Sequence, residues 1–357
     1  MNIMHVVFSL NNGGIEHLII DILNKWHFEY DNVFLCIVNN NYDPLLIDKL
    51  NIASNRIIKL ERPIHGKKIK YVIELNSIIK KFGIEILHCH SNQAVRLSIL
   101  AKMMSPKLKL VYTVHATSTY SNMSKADVII HNLLLYKIIA ISKAVKKEIV
   151  NKNRAMEIEI VYNGIDISKF SGKKNRDKTK RRIVCVARLE PPIKGQDILL
   201  YALGELRKIR DDFECLLIGA PPVEENDYLN ELKKQVQELN LEKQVIFYGN
   251  CNHVPSLLET ADILVLPSRE EGFGIAILEG LISRTPVIAS NIDGPKEIIG
   301  DDEYGILFEK GNYLDLMNKI NSMIDSDNKE LVEKAYKYGN ENYSIEGVVN
   351  KLRSLYI

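Results

Sequence analysis

What most constrains this chain is a rhythm in its apolar residues. Short runs rich in Val and Ile alternate with longer amphipathic segments, and the cycle passes along the chain twice. That is the pattern of parallel strands joined by crossover helices, so the fold class expected is α/β. In the first cycle the runs predict strands near 3–9, 33–38, 56–60, 86–90, 110–115 and 137–141, with helices near 14–26, 71–82, 93–104 and 143–151. The second predicts strands near 183–187, 214–218, 245–248, 263–267 and 286–289, with helices near 197–210, 228–239, 255–260, 275–282 and 314–324. Between the cycles, residues 163–182 lose apolar periodicity and fill with Gly, Ser, Lys and Asp, as an exposed linker does. A chain of 357 residues is long for one core. Two domains are therefore expected, 1–170 and 171–339, followed by a break at Gly339–Tyr343 and a closing helix at about 340–357.

Composition narrows the function classes. Residues 1–170 carry 22 Lys and Arg against 14 Asp and Glu, and the remainder 25 against 31, so a net charge of +2 hides a basic first half. That half suits a phosphorylated substrate or an anionic membrane surface. The run HGKKIKYVIELNSIIKKFG sets Lys67, Lys68, Lys70, Lys80 and Lys81 beside an apolar stripe, a pattern that is more often a core stripe under a solvated lysine face and, as the alternative, could lie on an anionic membrane surface. Aromatic residues interleave poorly with the basic ones, and no nucleic-acid module is visible. Cys36, Cys89, Cys185, Cys215 and Cys251 stand singly without metal or disulfide spacing, which fits a reducing cytosol. The start, MNIMHVVFSL, enters a strand directly and reads as no signal peptide. The most apolar stretch, 128–141, is interrupted by His131, Asn132 and Lys137, so no membrane span is expected.

Chemistry concentrates where predicted strands end. The strand DILVLPS (262–268) runs into REEGFG and a helix from about Gly274. Parallel α/β sheets bind ligands at the C-terminal ends of their strands, and Gly272 and Gly274 let the backbone approach an anion beside free helix amides. Glu271 in the loop and Glu279 in the helix form a carboxylate pair, one suited to a reacting sugar and the other to ribose hydroxyls. Taken alone, two glutamates near a helix start are solvated charges. In VCVARLEPPIKGQDILL, Arg188 ends a strand and Lys194 precedes a helix, a fork and a point charge that together could neutralise a diphosphate leaving group. Pro191 and Pro192 stiffen the loop between them. His88 and His90 flank Cys89 so that both imidazoles share one strand face, but no acidic cluster completes a metal site. His115 ends a buried strand.

The ordered segments ARL, KGQDILL, YGN, ADILVLPSREEGFGIAILEGL and TPVIASNIDGPKEII resemble the donor domain of retaining glycosyltransferases of the GT-B fold, family 4. Shorter segments of the first half are similar to the family as well: GGIE at 13–16, HCHS at 88–91, TVHA at 113–116, AISKAVKKEI at 140–149 and VYNGID at 161–166. The resemblance implies a GT-B architecture, two Rossmann-like domains facing across a cleft, with the closing helix packing back on the first. It implies a metal-independent, retaining hexosyltransferase that needs no cofactor and takes a nucleotide-diphosphate sugar, UDP-linked rather than GDP-linked. By position, Arg188 and Lys194 hold the diphosphate, Glu279 the ribose, and Glu271 lies by the transferred sugar. Gly272, Phe273 and Gly274 set amides against sugar and phosphate, Gly13 and Gly14 cap the diphosphate, and His115 lies close to the donor sugar. Catalysis thus falls to Glu271, His115, Arg188 and Lys194.

The acceptor implied is a saccharide or polyprenyl-diphosphate-linked saccharide of bacterial surface polysaccharide (O-antigen or capsule) assembly. That places the chain in the cytoplasm, with peripheral contact at the inner membrane. A nucleotide-sugar epimerase and a non-catalytic sugar-nucleotide-binding partner are the alternatives. The segment departs from the family at Gly280, where Ala is usual, and at Arg284, where a small residue often stands. Glu270 is a second candidate beside Glu271.

Overall fold

The structure, a computed structural model, describes residues 1–63, 68–153, 155–170, 180–222, 227–251 and 253–357. Lys67 and residues 171–179 of the expected linker lie outside the described residues, as does the side chain of Lys68. The chain divides into two compact units, Met1–Asn163 with Ile345–Ile357, and Gly164–Ser344. The division falls before residue 170 because Ile165 is bonded into the second unit: its N–H donates to the Tyr343 carbonyl at 2.8 Å.

Unit 1 is built from β1 (Asn2–Val7), α1 (Gly14–Asn24), β2 (Asn32–Asn39), α2 (Pro44–Ile47), β3 (Ile57–Arg62), α3 (Lys68–Phe82), β4 (Ile86–Cys89), α4 (Asn92–Met104), β5 (Lys109–Val114), α5 (Lys125–Leu134), β6 (Lys137–Ala140), α6 (Lys143–Lys152) and β7 (Ile158–Ile160). Its sheet is parallel throughout, in the order β3-β2-β1-β4-β5-β6-β7. Such strands are covered on both faces, so β1 and β2 bury nearly every residue. The helices start where small hydroxyl residues cap them: Ser91, Ser124 and Ser142 each accept from a first-turn amide of α4, α5 and α6.

Unit 2 contains β8 (Arg181–Val186), α7 (Pro191–Lys194), α8 (Gln196–Arg207), β9 (Phe213–Ile218), α9 (Asp227–Glu238), β10 (Val245–Gly249), α10 (Val254–Leu258), β11 (Ile263–Leu266), α11 (Ile275–Ile282), β12 (Val287–Ser290), α12 (Asp293–Ile299), β13 (Ile306–Phe308), α13 (Tyr313–Asp325) and α14 (Lys329–Asn342). Its parallel sheet runs β10-β9-β8-β11-β12-β13, around a core that includes Phe213, Leu217, Val265 and Phe308. The last helix, α15 (Ile345–Tyr356), belongs to unit 1, where it packs on α1 and stacks Tyr356 against Trp26 with ring centres 5.7 Å apart.

Several elements differ from the sequence reading. The apolar stretch 128–141 is split between α5 and β6, because Leu135 takes an extended backbone (ψ 137°) that ends the helix. The segment Pro191–Lys194 is a helical turn instead of a loop, with Pro191 at the position where its missing N–H costs nothing. Gly339 lies inside α14, where it lets the helix approach Leu281 and Ile282 of α11, and the break falls only at Tyr343 and Ser344. No helix among the described residues is long and apolar enough to cross a membrane.

Candidate functional site

In both sheets the strand order reverses direction beside the first strand, between β1 and β4 in unit 1 and between β8 and β11 in unit 2. Helices on either side of such a switch point diverge and leave room for a ligand beyond the strand ends. Most of the residues singled out from the sequence follow these four strands, and His115 follows the neighbouring β5.

In unit 2, Arg188 follows β8, and its exposed guanidinium lies 3.2 Å from Glu190. Lys194, ending α7, places its ammonium 2.7 Å from a carboxylate oxygen of Glu271 in the loop after β11. Both side chains are mostly buried, about one-sixth exposed (17% and 16%), so water screens this pair less than a surface pair. Glu270 is exposed, so of the two adjacent glutamates only Glu271 meets the lysine. Gly272, Phe273 and Gly274 are buried, and Phe273 packs edge-on to Tyr343. Gly274 adopts a left-handed conformation (φ 108°) and starts α11, which carries the half-buried Glu279.

The pairing depends on residues that the sequence reading did not single out. Arg269 grips Asp197 of α8 through two bonds of 2.7 and 2.6 Å and also donates to the Pro191 carbonyl. The backbone N–H groups of Arg269 and Glu270 both donate to the Ile193 carbonyl. Together these bonds tie the Glu271 loop to α7, and no local motif announces them. Gly195, between α7 and α8, has φ +68°, and a Cβ there would stand 2.0 Å from the Pro267 carbonyl oxygen. Gly294 of α12 similarly abuts the Glu271–Phe273 backbone, with the Glu271 oxygen 2.5 Å from where a Cβ would be. At Gly280 a Cβ would meet Val287 and Leu264 at 2.6 and 2.8 Å, which accounts for the absence of the usual Ala. Arg284 takes a positive φ of 53°, which explains why a small residue often stands there; its guanidinium is held by Glu333 and by the Tyr336 ring at 3.6 Å. A cavity of about 260 Å³ borders the Arg269–Asp197 pair, but neither Lys194 nor Glu271 lines it.

In unit 1, Gly13 and Gly14 form the turn from β1 into α1, Gly13 being its extended N-cap. His115 follows β5 and lies against His90, which follows β4, with 3.1 Å between His90 Nδ1 and His115 Nε2. His90 is buried. The β1–β4 register adds His5, whose Nδ1 is 2.9 Å from His90 Nε2. Nothing in the local sequence joins position 5 to position 90; sheet pairing does. His88 is bonded on both nitrogens, to Tyr356 and to Thr113. Burial pushes all these imidazoles down, His5 to about 3 and His115 to about 4. Ligand atoms of His5, His88 and His90 lie within 4.8 Å of one another, close enough for a metal ion, although both His88 nitrogens are already engaged. The five cysteines are free thiols, four of them buried.

Two Rossmann-like units are the architecture of GT-B enzymes. Residues 12–169 match Glycosyltransferase Family 4 and residues 166–342 match Glycosyl transferases group 1, and the chain belongs to this family of GT-B glycosyltransferases. The UDP-Gal:alpha-D-GlcNAc-diphosphoundecaprenol alpha-1,3-galactosyltransferase of Escherichia coli is 26% identical over 317 residues, 82% of this chain and 80% of its own. The N-acetylgalactosamine-N,N'-diacetylbacillosaminyl-diphospho-undecaprenol 4-alpha-N-acetylgalactosaminyltransferase of Campylobacter jejuni is 23% identical over 350 residues, 93% and 91% of the two chains. Among solved structures, Anabaena HepE in complex with UDP and glucose matches with a TM-score of 0.83 at 22% identity, over 99% of this chain and 98% of its own.

Proposed function

We propose that this glycosyltransferase moves a hexose-type sugar from a UDP-sugar, with retention and without a metal, onto a polyprenyl-diphosphate-linked saccharide of bacterial surface-glycan assembly. The observation that carries the reading is the mostly buried Lys194–Glu271 pair beside Arg188 at the β8–β11 switch point. Two cations at one strand end match the charge of a departing diphosphate, and a carboxylate within 3 Å of one of them suits the positive charge that develops on the sugar. The C1–phosphate bond breaks and the C1–acceptor bond forms on the same face. The acceptor proton then passes to a diphosphate oxygen, the base available there. Glu271 acts as a charge stabiliser, Glu279 holds the ribose, and the amides of Gly272–Gly274 meet sugar and phosphate. In unit 1, Gly13 and Gly14 contact the diphosphate and His115 the donor sugar. The E. coli relative's name specifies a UDP-galactose donor and a diphosphoundecaprenol-linked acceptor, and HepE was solved with UDP, which favours the same donor base and acceptor class here.

A thermal-shift screen tests the donor: UDP at 100 times its dissociation constant should add about 2.7 kcal/mol of stability, and GDP at equal concentration much less. Incubation with UDP-sugars and undecaprenyl-diphosphate-linked acceptors should give an α-linked product. Isomerised donor without acceptor would instead mark an epimerase.

Membrane contact belongs to the same reading. The neighbouring helices α3, α4 and α5 of unit 1 leave Ile69, Ile73, Met103, Met104, Ile129 and Leu133 exposed, and Lys70 and Lys125 on the same helices are exposed too. Apolar side chains rimmed by lysines suit the face of an anionic bilayer at the cytoplasmic side of the inner membrane, where a lipid-linked acceptor resides. The protein should float with vesicles containing anionic lipid and release at high salt, and Met103→Glu with Leu133→Glu should weaken flotation. Absence of binding at every ionic strength would remove this part of the proposal.

A further inference from the structure

The three imidazoles of His5, His90 and His115 run nitrogen to nitrogen along one face of the unit 1 sheet. The two outer nitrogens of the row, His5 Nε2 and His115 Nδ1, are buried and have no partner among the described residues. Three neutral rings own three N–H groups, and each link between rings uses one. One end of the row must therefore carry an N–H and the other a bare lone pair. A buried N–H without a partner is the costlier orphan, so it belongs at whichever end can meet a water or a ligand. A cavity of about 20 Å³, enough for one water, is lined by His88, His90, Thr113 and His115 but not by His5. The N–H thus belongs at the His115 end.

We infer that His5 and His90 are positioning residues that hold His115 as the Nδ1–H tautomer, making it a hydrogen-bond donor and not a general base in the transfer proposed above. His5 donates from Nδ1 to His90 Nε2, His90 donates from Nδ1 to His115 Nε2, and His115 keeps its own N–H on Nδ1. With the His115 Nε2 lone pair occupied by His90, neither nitrogen of His115 accepts a proton from an acceptor hydroxyl. Nor does the row conduct protons, since His5 Nε2 at its far end is sealed in the core. Burial favours the neutral form of each ring. This inference rests on the reading that His115 faces the donor sugar; the assignment of the tautomers does not.

The test is a long-range proton–nitrogen correlation spectrum of the full chain, labelled with nitrogen-15 in its histidines, at pH 7, alongside transfer kinetics. His5, His90 and His115 should each be protonated on Nδ1. A proton on His115 Nε2 would overturn the inference, as would stoichiometric metal bound by His5, His88 and His90. His5→Leu should turn His115 into a mixture of tautomers and lower kcat by about 10-fold, the effect of losing a second-layer partner, with the donor KM unchanged. His5→Asn, whose amide N–H stands close to where Nδ1–H stood, should restore both. A wild-type tautomer and kcat in His5→Leu would also overturn the inference. Should His5→Leu fail to fold, the wild-type spectrum and His5→Asn decide the question. If no donor is transferred under any condition, the functional reading falls while the spectrum still settles the tautomers.

Discussion

Acidification from pH 7 should unfold unit 1 through a steep transition near pH 5, and the emission of Trp26 should report it. Unit 1 buries His5, His88, His90 and His131 and holds His115 partly buried beside them. Burial holds each in its neutral form, His5 down to about 3, His115 and His131 to about 4, and His88 and His90 well below their ordinary value. The unfolded chain binds protons at these positions below about pH 6.5, whereas the folded chain does not until far lower. Stability is therefore complete above pH 6.5 and falls as the pH drops towards 4. Each such histidine costs up to about 1.4 kcal/mol per pH unit in that window, so five cost about 7 kcal/mol per unit. Against a domain stability of about 5–15 kcal/mol, one to two units suffice. The chain's single tryptophan, Trp26, stacks on Tyr356 and meets His5 edge-on inside this unit. Its emission should shift red with a midpoint near pH 5. Unchanged emission down to pH 4 would mean that the cluster takes up protons without unfolding.

That histidine cluster shows where a linear reading stops. The strand rhythm was legible because parallel strands, covered on both faces, are written as short apolar runs, and the expected strands among 3–9, 33–38 and 263–267 overlap β1, β2 and β11. The elements missed were those without such a signal. β7 and β13 are three residues each, too short for periodicity, and α5 was hidden in an apolar stretch shared with β6. The proline pair at 191 and 192 suggested a loop, yet proline is at home in a first helical turn.

In the site, the sequence offered Lys194 and Glu271 as members of separate motifs 77 residues apart, and only the sheet brings them to 2.7 Å. It favoured Glu271 over its neighbour Glu270 by resemblance alone, and in the structure it is Glu271 that turns inward to the lysine. Arg269, Asp197, Gly294 and His5 gave no signal, because each acts through a contact distant in sequence. The closing helix was expected on the first domain by resemblance alone; within unit 1 its Tyr356 bonds His88 at the edge of the same cluster.

Replacing Lys194 by Ala should lower kcat/KM for transfer by about 100- to 1,000-fold, the scale of removing one preorganised charge from a developing anion. The ammonium is matched by Glu271 at 2.7 Å, with both side chains about one-sixth exposed. A diphosphate arriving beside Arg188 would draw on the same ammonium and leave the Glu271 carboxylate to face the positive charge growing on the sugar. The two residues should therefore act as a unit. Glu271→Gln keeps an oxygen for Lys194 to donate to but removes the charge, so its loss should fall on kcat more than on the donor KM. Lys194→Ala should raise the donor KM as well, because the diphosphate loses a partner in the ground state too. For a pair that works as a unit, the double variant should lose far less than the product of the two single losses. Initial rates across donor concentrations for wild type, Lys194→Ala, Glu271→Gln and the double variant give this cycle directly. Losses that simply multiply would show two independent charges. Wild-type transfer by both single variants would remove the site from the β8–β11 switch point altogether.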